Sequence, residues 1–225
     1  PNTASATYLF SNGTSSSSII NTTLTKVTFG KDVETVANYM FLNCTSLKTF
    51  ESSTVKTIGQ YAFSNTGLET YTVPDTVTEI GNYAFSKNLN LTSFIFGKGM
   101  TSTGTKGILS DCTALTTAVV PEGYTEISKN TFERCTALTN FVLPESVVLL
   151  GEYSFNTCTS LKAIVLSENC VVVARAFRNW VAGQTIYFKG TKDFAEEYWG
   201  TPVNDLIGDY IGFDGCDIVY NYKAN

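Results

Sequence analysis

Apolar residues recur along most of the chain in a rhythm of about 23 positions. The leucines Leu24, Leu47, Leu68, Leu91, Leu115, Leu138 and Leu161 are separated by 23, 21, 23, 24, 23 and 23 residues. Each opens a phrase that leads to a second apolar anchor: Phe41, Phe63, Phe85, Leu109, Phe132, Phe155 and Phe177. Three residues past that anchor stand Cys44, Thr66, Asn88, Cys112, Cys135, Cys158 and Trp180. A unit this short cannot enclose a core of its own, so it must stack on its neighbours as a solenoid.

The third phrase shows how one coil is built. Leu68, Tyr71 and Val73 alternate with Thr70 and Thr72, so a strand places the first set inward and the second outward. Pro74 stops that strand, because it has no N–H to give to a ladder. Pro121 and Pro144 stand at the same point, and Gly30, Ser53, Gly97 and Ser167 replace them elsewhere. A second extended piece follows, with Val77 and Ile80 inward. Gly81 then turns the chain and Ala84-Phe85 enters the core. The pattern predicts a β-rich, right-handed superhelix with little helix and a parallel sheet on one face, about 30 Å long for seven strands. It predicts one domain over 1–225: an N-terminal cap at 1–23, seven repeats over 24–180 and a C-terminal cap at 181–225. In the latter, Thr185–Phe188 and Asp217–Tyr220 read as strands, and Asp193–Trp199 reads as a short helix with Asp193 as its N-cap.

The consensus Leu-x-x-φ-x-φ-Pro-x-x-Val-x-x-Ile-Gly-x-x-Ala-Phe-x-x-Cys, with φ apolar, covers about residues 24–180 and resembles the BspA-type leucine-rich repeat of bacterial and protozoan surface proteins. Ile186–Thr191 is similar to the usual exit from such arrays. The resemblance implies an exported, adhesive protein that recognises host matrix or other cells. Because the motif is structural, it carries over no functional residues. The fourth phrase departs from it, since Gly99–Gly107 replaces the Val…Ile-Gly segment.

Charge narrows the partners. Fifteen basic residues face 20 acidic ones, a net of −5. Such a surface does not condense on phosphate backbones or anionic lipid, and no apolar run is long enough to span a bilayer. There is no histidine. That removes Ser-His-Asp and Cys-His nucleophiles and the usual zinc sites with histidine ligands. No phosphate-binding glycine loop occurs. The carboxylates Glu196, Glu197, Asp214 and Asp217 read as a solvated surface of the cap. The expectation is a protein without catalysis or cofactor. Cys112, Cys135 and Cys158 occupy one position in successive coils and should form a buried column that fills space. Cys170 and Cys216 lie outside it, and the sequence leaves open whether they pair.

Three candidate sites follow. Four residues past the leucines stand Thr28, Glu51, Thr72, Ile95, Val119, Val142 and Val165, and the last four form an apolar stripe on a nominally wet face. Small neighbours (Ser93, Thr117, Asn140, Ala163) leave it accessible to a protein partner or a second copy. Sheet propensity, or cover by the C-terminal cap, explains the same residues without a partner. Tyr39, Tyr61 and Tyr83 form a row that could stack on sugar rings or simply on itself. The irregular glycines Gly99, Gly104 and Gly107 mark either a binding insertion or a kink. The favoured function is a secreted or cell-surface protein-binding module using Ile95, Val119, Val142 and Val165. The alternatives are a structural spacer and carbohydrate attachment through the tyrosines.

Overall fold

The computed structural model describes residues 20–199 and 215–223. The expected N-terminal cap, apart from residues 20–23, and Asp214 lie outside the described residues. The rest is a parallel-strand solenoid of about seven turns with one short helix.

The strands that follow the leucines are β1 (Lys26–Thr28), β3 (Thr49–Glu51), β5 (Thr70–Thr72), β7 (Ser93–Ile95), β8 (Thr117–Val119), β10 (Asn140–Phe141) and β12 (Ala163–Leu166). Two strands of the C-terminal segment join them, β14 (Thr185–Phe188) and β15 (Asp217–Val219). Backbone pairing on this side runs in three blocks: β1-β3, β5-β7-β8-β10 and β12-β14-β15. All pairs are parallel, and the outward residues sit in file, as Thr72↔Ile95↔Val119 and Val165↔Tyr187↔Val219. The expected continuous sheet is therefore interrupted after β3 and after β10.

The second extended pieces are β2 (Thr35–Val36), β4 (Thr57–Ile58), β6 (Glu79–Ile80), β9 (Glu126–Ile127), β11 (Leu149–Leu150) and β13 (Val171–Val172). They form two sheets, β2-β4-β6 and β9-β11-β13. The break falls on the fourth coil, where Gly99–Gly107 supplies only an isolated bridge, Ser102 to Glu126. Polar bonds hold this coil in place. Thr103 Oγ1 lies 2.9 Å from Thr131 Oγ1 and accepts from Ser128 N at 2.8 Å, while the Tyr124 hydroxyl donates to Gly97 O at 2.6 Å.

The phenylalanine anchors form a stacked column inside. Ring centroids are 5.2 Å apart for Phe41–Phe63, 5.1 Å for Phe63–Phe85 and 5.2 Å for Phe132–Phe155. Leu109 interrupts the column, and buried Phe96 bridges the gap, edge-on to Phe94 at 4.9 Å and to Phe132 at 6.4 Å.

The corner around each anchor is a third backbone ladder, invisible in the apolar pattern. Phe41 N, Phe63 N, Phe85 N, Leu109 N, Phe132 N and Phe155 N each donate to a carbonyl of the following coil at 2.7–3.0 Å. Residues two before and two after the anchor do the same, whereas Met40, Leu42 and Cys44 donate back within their own turn. That alternation requires left-handed backbone. Tyr39, Tyr61, Tyr83, Gly107, Asn130, Tyr153 and Arg175 have φ between 52° and 64°, and Asn43, Asn65, Lys87, Asp111, Arg134, Thr157 and Asn179 between 55° and 65°. Glycine and asparagine enter this region easily; Tyr, Lys, Arg and Thr do so at a cost.

The cysteine position does more than fill space, which corrects the expectation. Cys112 Sγ donates to Phe85 O at 3.2 Å, Cys135 Sγ to Leu109 O at 3.2 Å and Cys158 Sγ to Phe132 O at 3.1 Å. Asn88 Nδ2 reaches Phe63 O at 2.9 Å and Trp180 Nε1 reaches Phe155 O at 3.0 Å. These residues share a donor aimed at the anchor carbonyl of the preceding coil. That shared geometry unites Cys, Asn and Trp at these five coils, whereas Thr66 Oγ1 donates to Asn88 Oδ1 at 2.6 Å.

In the C-terminal segment, α1 spans Lys192–Tyr198, and its N-cap is Thr191 rather than Asp193. Thr191 Oγ1 accepts from Phe194 N at 3.1 Å, while Asp193 sits in the first turn, where the helix dipole favours it. Cys170 is a free buried thiol, so the pair left open by the spacing does not form.

Candidate functional site

The outer face of the leucine-side strands changes character along the solenoid. Its first part is polar and internally paired. Lys26 bridges Glu51 at 2.8 Å, Thr28 Oγ1 donates to Glu51 at 3.1 Å, and Lys48 bridges Glu69 at 2.7 Å. The Lys26 ammonium, then the Thr28 hydroxyl, hold the Glu51 carboxyl below its usual range.

From β7 onward the same outward file is apolar. Ile95 is 37% exposed, Val119 44% and Val142 83%, and Val165 is half-buried. The described part of the C-terminal segment does not cover this stripe but lengthens it, adding Tyr187 and the 40%-exposed Val219 in strict register. Val142 stands out because β10 ends at Phe141, leaving its side chain beside an interruption in the sheet. A shallow concavity of about 580 Å³ opens there, lined by Val119, Val142, Phe141, Pro144, Glu122 and Asn140 among others.

One margin of the stripe is acidic. The turns after β8, β10 and β12 carry Glu122, Glu145 and Glu168 at equivalent positions, all exposed. Glu145 N donates to Glu122 Oε1 at 3.3 Å, and Lys189 bridges Glu145. The opposite margin carries Thr116, Thr139 and Lys162. The sequence reading missed this margin, although its signal was present in the Pro121-Glu122, Pro144-Glu145 and Ser167-Glu168 pairs.

The tyrosine row lies on the corner and packs on itself. Tyr39–Tyr61 centroids are 5.5 Å apart at 11°, and Tyr61–Tyr83 are 5.2 Å apart at 16°. Tyr61 therefore has both ring faces occupied. Tyr83 presses its other side onto Gly107, where an added Cβ would come within 2.2 Å of the ring, and Lys106 Nζ sits 5.5 Å from the ring centroid. Sugar stacking needs an open ring face, and Tyr61, held between Tyr39 and Tyr83, offers none.

The buried cysteines are chemically quiet. Loss of hydration pushes Cys112 and Cys170 up to about 12 and Cys44 to about 11, and raises Cys135 and Cys158 as well. A protonated thiol is neither a good nucleophile nor a metal ligand. Among the described residues, no group of three or more Cys, Asp or Glu converges as a metal site, and no helix is long and apolar enough to cross a membrane.

Known proteins place this architecture. No curated protein sequence matches the chain. Solved leucine-rich repeat proteins do. One from Eubacterium ventriosum is 25% identical with a TM-score of 0.63, over 68% of this chain and 42% of its own. One from Bacteroides ovatus is 21% identical with a TM-score of 0.62, over 72% of this chain and 48% of its own. A leucine rich cell surface protein from Faecalibacterium prausnitzii is 21% identical with a TM-score of 0.50, over 80% of this chain and 64% of its own. The chain thus spans less than half the length of the first two. The BspA type leucine rich repeat region matches six copies, across residues 12–108 and 105–198. The repeating Leu…Pro…Ile-Gly…Phe…Cys phrase and the parallel coils it builds make this chain a member of the BspA-type leucine-rich repeat family.

Proposed function

We propose that the chain is a non-catalytic protein-recognition module, exported and displayed at a cell surface, that binds its partner through the stripe Ile95, Val119, Val142 and Val165. The observation that carries this reading is Val142: a valine 83% exposed between Val119 and Val165 along the apolar stripe, beside a concavity. Sheet propensity accounts for β-branched residues within strands, but Val142 lies past the end of β10. Contiguous apolar patches with polar margins are characteristic of interaction surfaces. The surface location draws support from the family and from the cell-surface protein of F. prausnitzii.

A panel of immobilised extracellular matrix proteins, read by surface plasmon resonance, tests the proposal. The wild-type chain should bind at least one of them. The double variant Val119→Lys/Val142→Lys should lose that binding while melting at the same temperature. Binding that survives the double substitution, or no binding by either protein, refutes the assignment and favours a structural spacer.

A further inference from the structure

We infer that the partner segment is a cationic, extended polypeptide: Lys or Arg side chains lie against the Glu122–Glu145–Glu168 margin while intervening apolar residues sit on Val119 and Val142. The inference rests on the sheet-face reading above and adds the chemistry of the partner.

Charge complementarity carries it. Equivalent turn residues in adjacent coils are separated by about one strand spacing, roughly 4.8 Å. Three exposed carboxylates in such a file repel one another. Lys189 reaches Glu145, while no ion pair to Glu122 or Glu168 occurs among the described residues. Cations laid along the file relieve that repulsion. The concavity places the two chemistries side by side, with Val119, Val142 and Phe141 as its apolar floor and Glu122 at its margin. A long basic side chain fits this arrangement because its aliphatic stem covers apolar surface while its head stays polar. A second copy of this chain fits poorly. It carries the same net charge of −5, so its face offers no excess of cations to this margin.

The test uses the full chain and two octapeptide probes, one alternating lysine with valine and threonine, the other alternating glutamate with the same residues. Binding is read by fluorescence anisotropy. The lysine peptide should bind, and its affinity should fall by about tenfold between 50 and 300 mM salt as screening shortens the reach of the charges. The triple variant Glu122→Gln/Glu145→Gln/Glu168→Gln should weaken it by a similar factor, and the glutamate peptide should not bind. Equal binding of both peptides, absence of lysine-peptide binding, or an unchanged triple variant overturns the inference. The matrix-protein panel with Val119→Lys/Val142→Lys, run in parallel, keeps the outcomes apart. If that double variant loses its partner while the triple variant keeps it, the sheet-face reading stands and the cationic partner fails.

Discussion

The corner ladder makes a stability prediction that the apolar pattern does not. Lys87 sits at φ 58° and donates its N–H to Ser110 O at 2.8 Å. An L-residue other than Gly, Asn or Asp loses roughly 1–2 kcal/mol in this conformation. Asn43, Asn65 and Asn179 occupy the equivalent slot at φ 62°, 55° and 65°, so the corner accepts asparagine without rearrangement. Lys87 is exposed, and its side chain contributes a long-range attraction to Asp111, which Arg134 already holds by direct hydrogen bonds. Losing an exposed attraction of this kind costs about 0–1 kcal/mol. Lys87→Asn should therefore stabilise the chain by about 0.5–1 kcal/mol. At roughly 2–4 °C per kcal/mol for a domain of this size, its melting temperature should rise by about 1–4 °C. Thermal melts followed by far-ultraviolet circular dichroism measure this, with Lys98→Asn as the control, since Lys98 is an exposed lysine with ordinary backbone. A Lys87→Asn melt at or below wild type, or an equal rise in the control, would refute the strain argument.

Three further outcomes are expected. Cys135→Ser should melt closer to wild type than Cys135→Ala, because serine still donates to Leu109 O whereas alanine leaves that carbonyl only its bond from Cys112 N, a loss of about 0.5–1.5 kcal/mol; the opposite ranking would return the column to simple space-filling. Phe63→Ala should cost about 3–5 kcal/mol in chemical denaturation, since the ring is fully buried between Phe41 and Phe85. Arg134 lowers the Asp111 carboxyl by hydrogen bonding first and by charge second. That contribution to stability is present above the usual aspartate value of about 4 and is lost as pH falls through the lowered one. Melts of Arg134→Gln and wild type should therefore differ above about pH 4 and converge in stronger acid; a constant offset at all pH values would show that the pair is not the cause.

The anchors were legible because each lies on a face that repeats: Leu24 to Leu161 inward, Thr28 to Val165 outward, and the phenylalanines at the corner. The left-handed corners were not. Asn43, Asn65 and Asn179 hint at them, but Lys87, Arg134 and Thr157 fill the same slot and Tyr61 the one before the anchor, and nothing in those residue types signals positive φ. The donor role of Cys135 was hidden for a related reason. Thiols resemble small apolar groups in a pattern, and the common property of Cys, Asn and Trp becomes visible only once Leu109 O, Phe63 O and Phe155 O are seen to be their acceptors. The helix cap shifted from Asp193 to Thr191 because both residue types accept from backbone, and the register of Phe194 N decides between them. The apolar stripe was readable in its file of residues, but the exposure of Val142 depends on where β10 stops.

The interruptions in the strand pairing bear on how the rod carries load. One face is cut after β3 and again after β10, the other only at the fourth coil, between β6 and β9. At each cut the opposite wall is continuous: β4 bonds β6, β5 to β8 pass the fourth coil, and β11 bonds β13. The joints are offset as in brickwork, so no transverse plane severs both walls. Tension along the axis must break paired backbone wherever it acts, and the coils on either side of a joint separate only when the opposite wall yields.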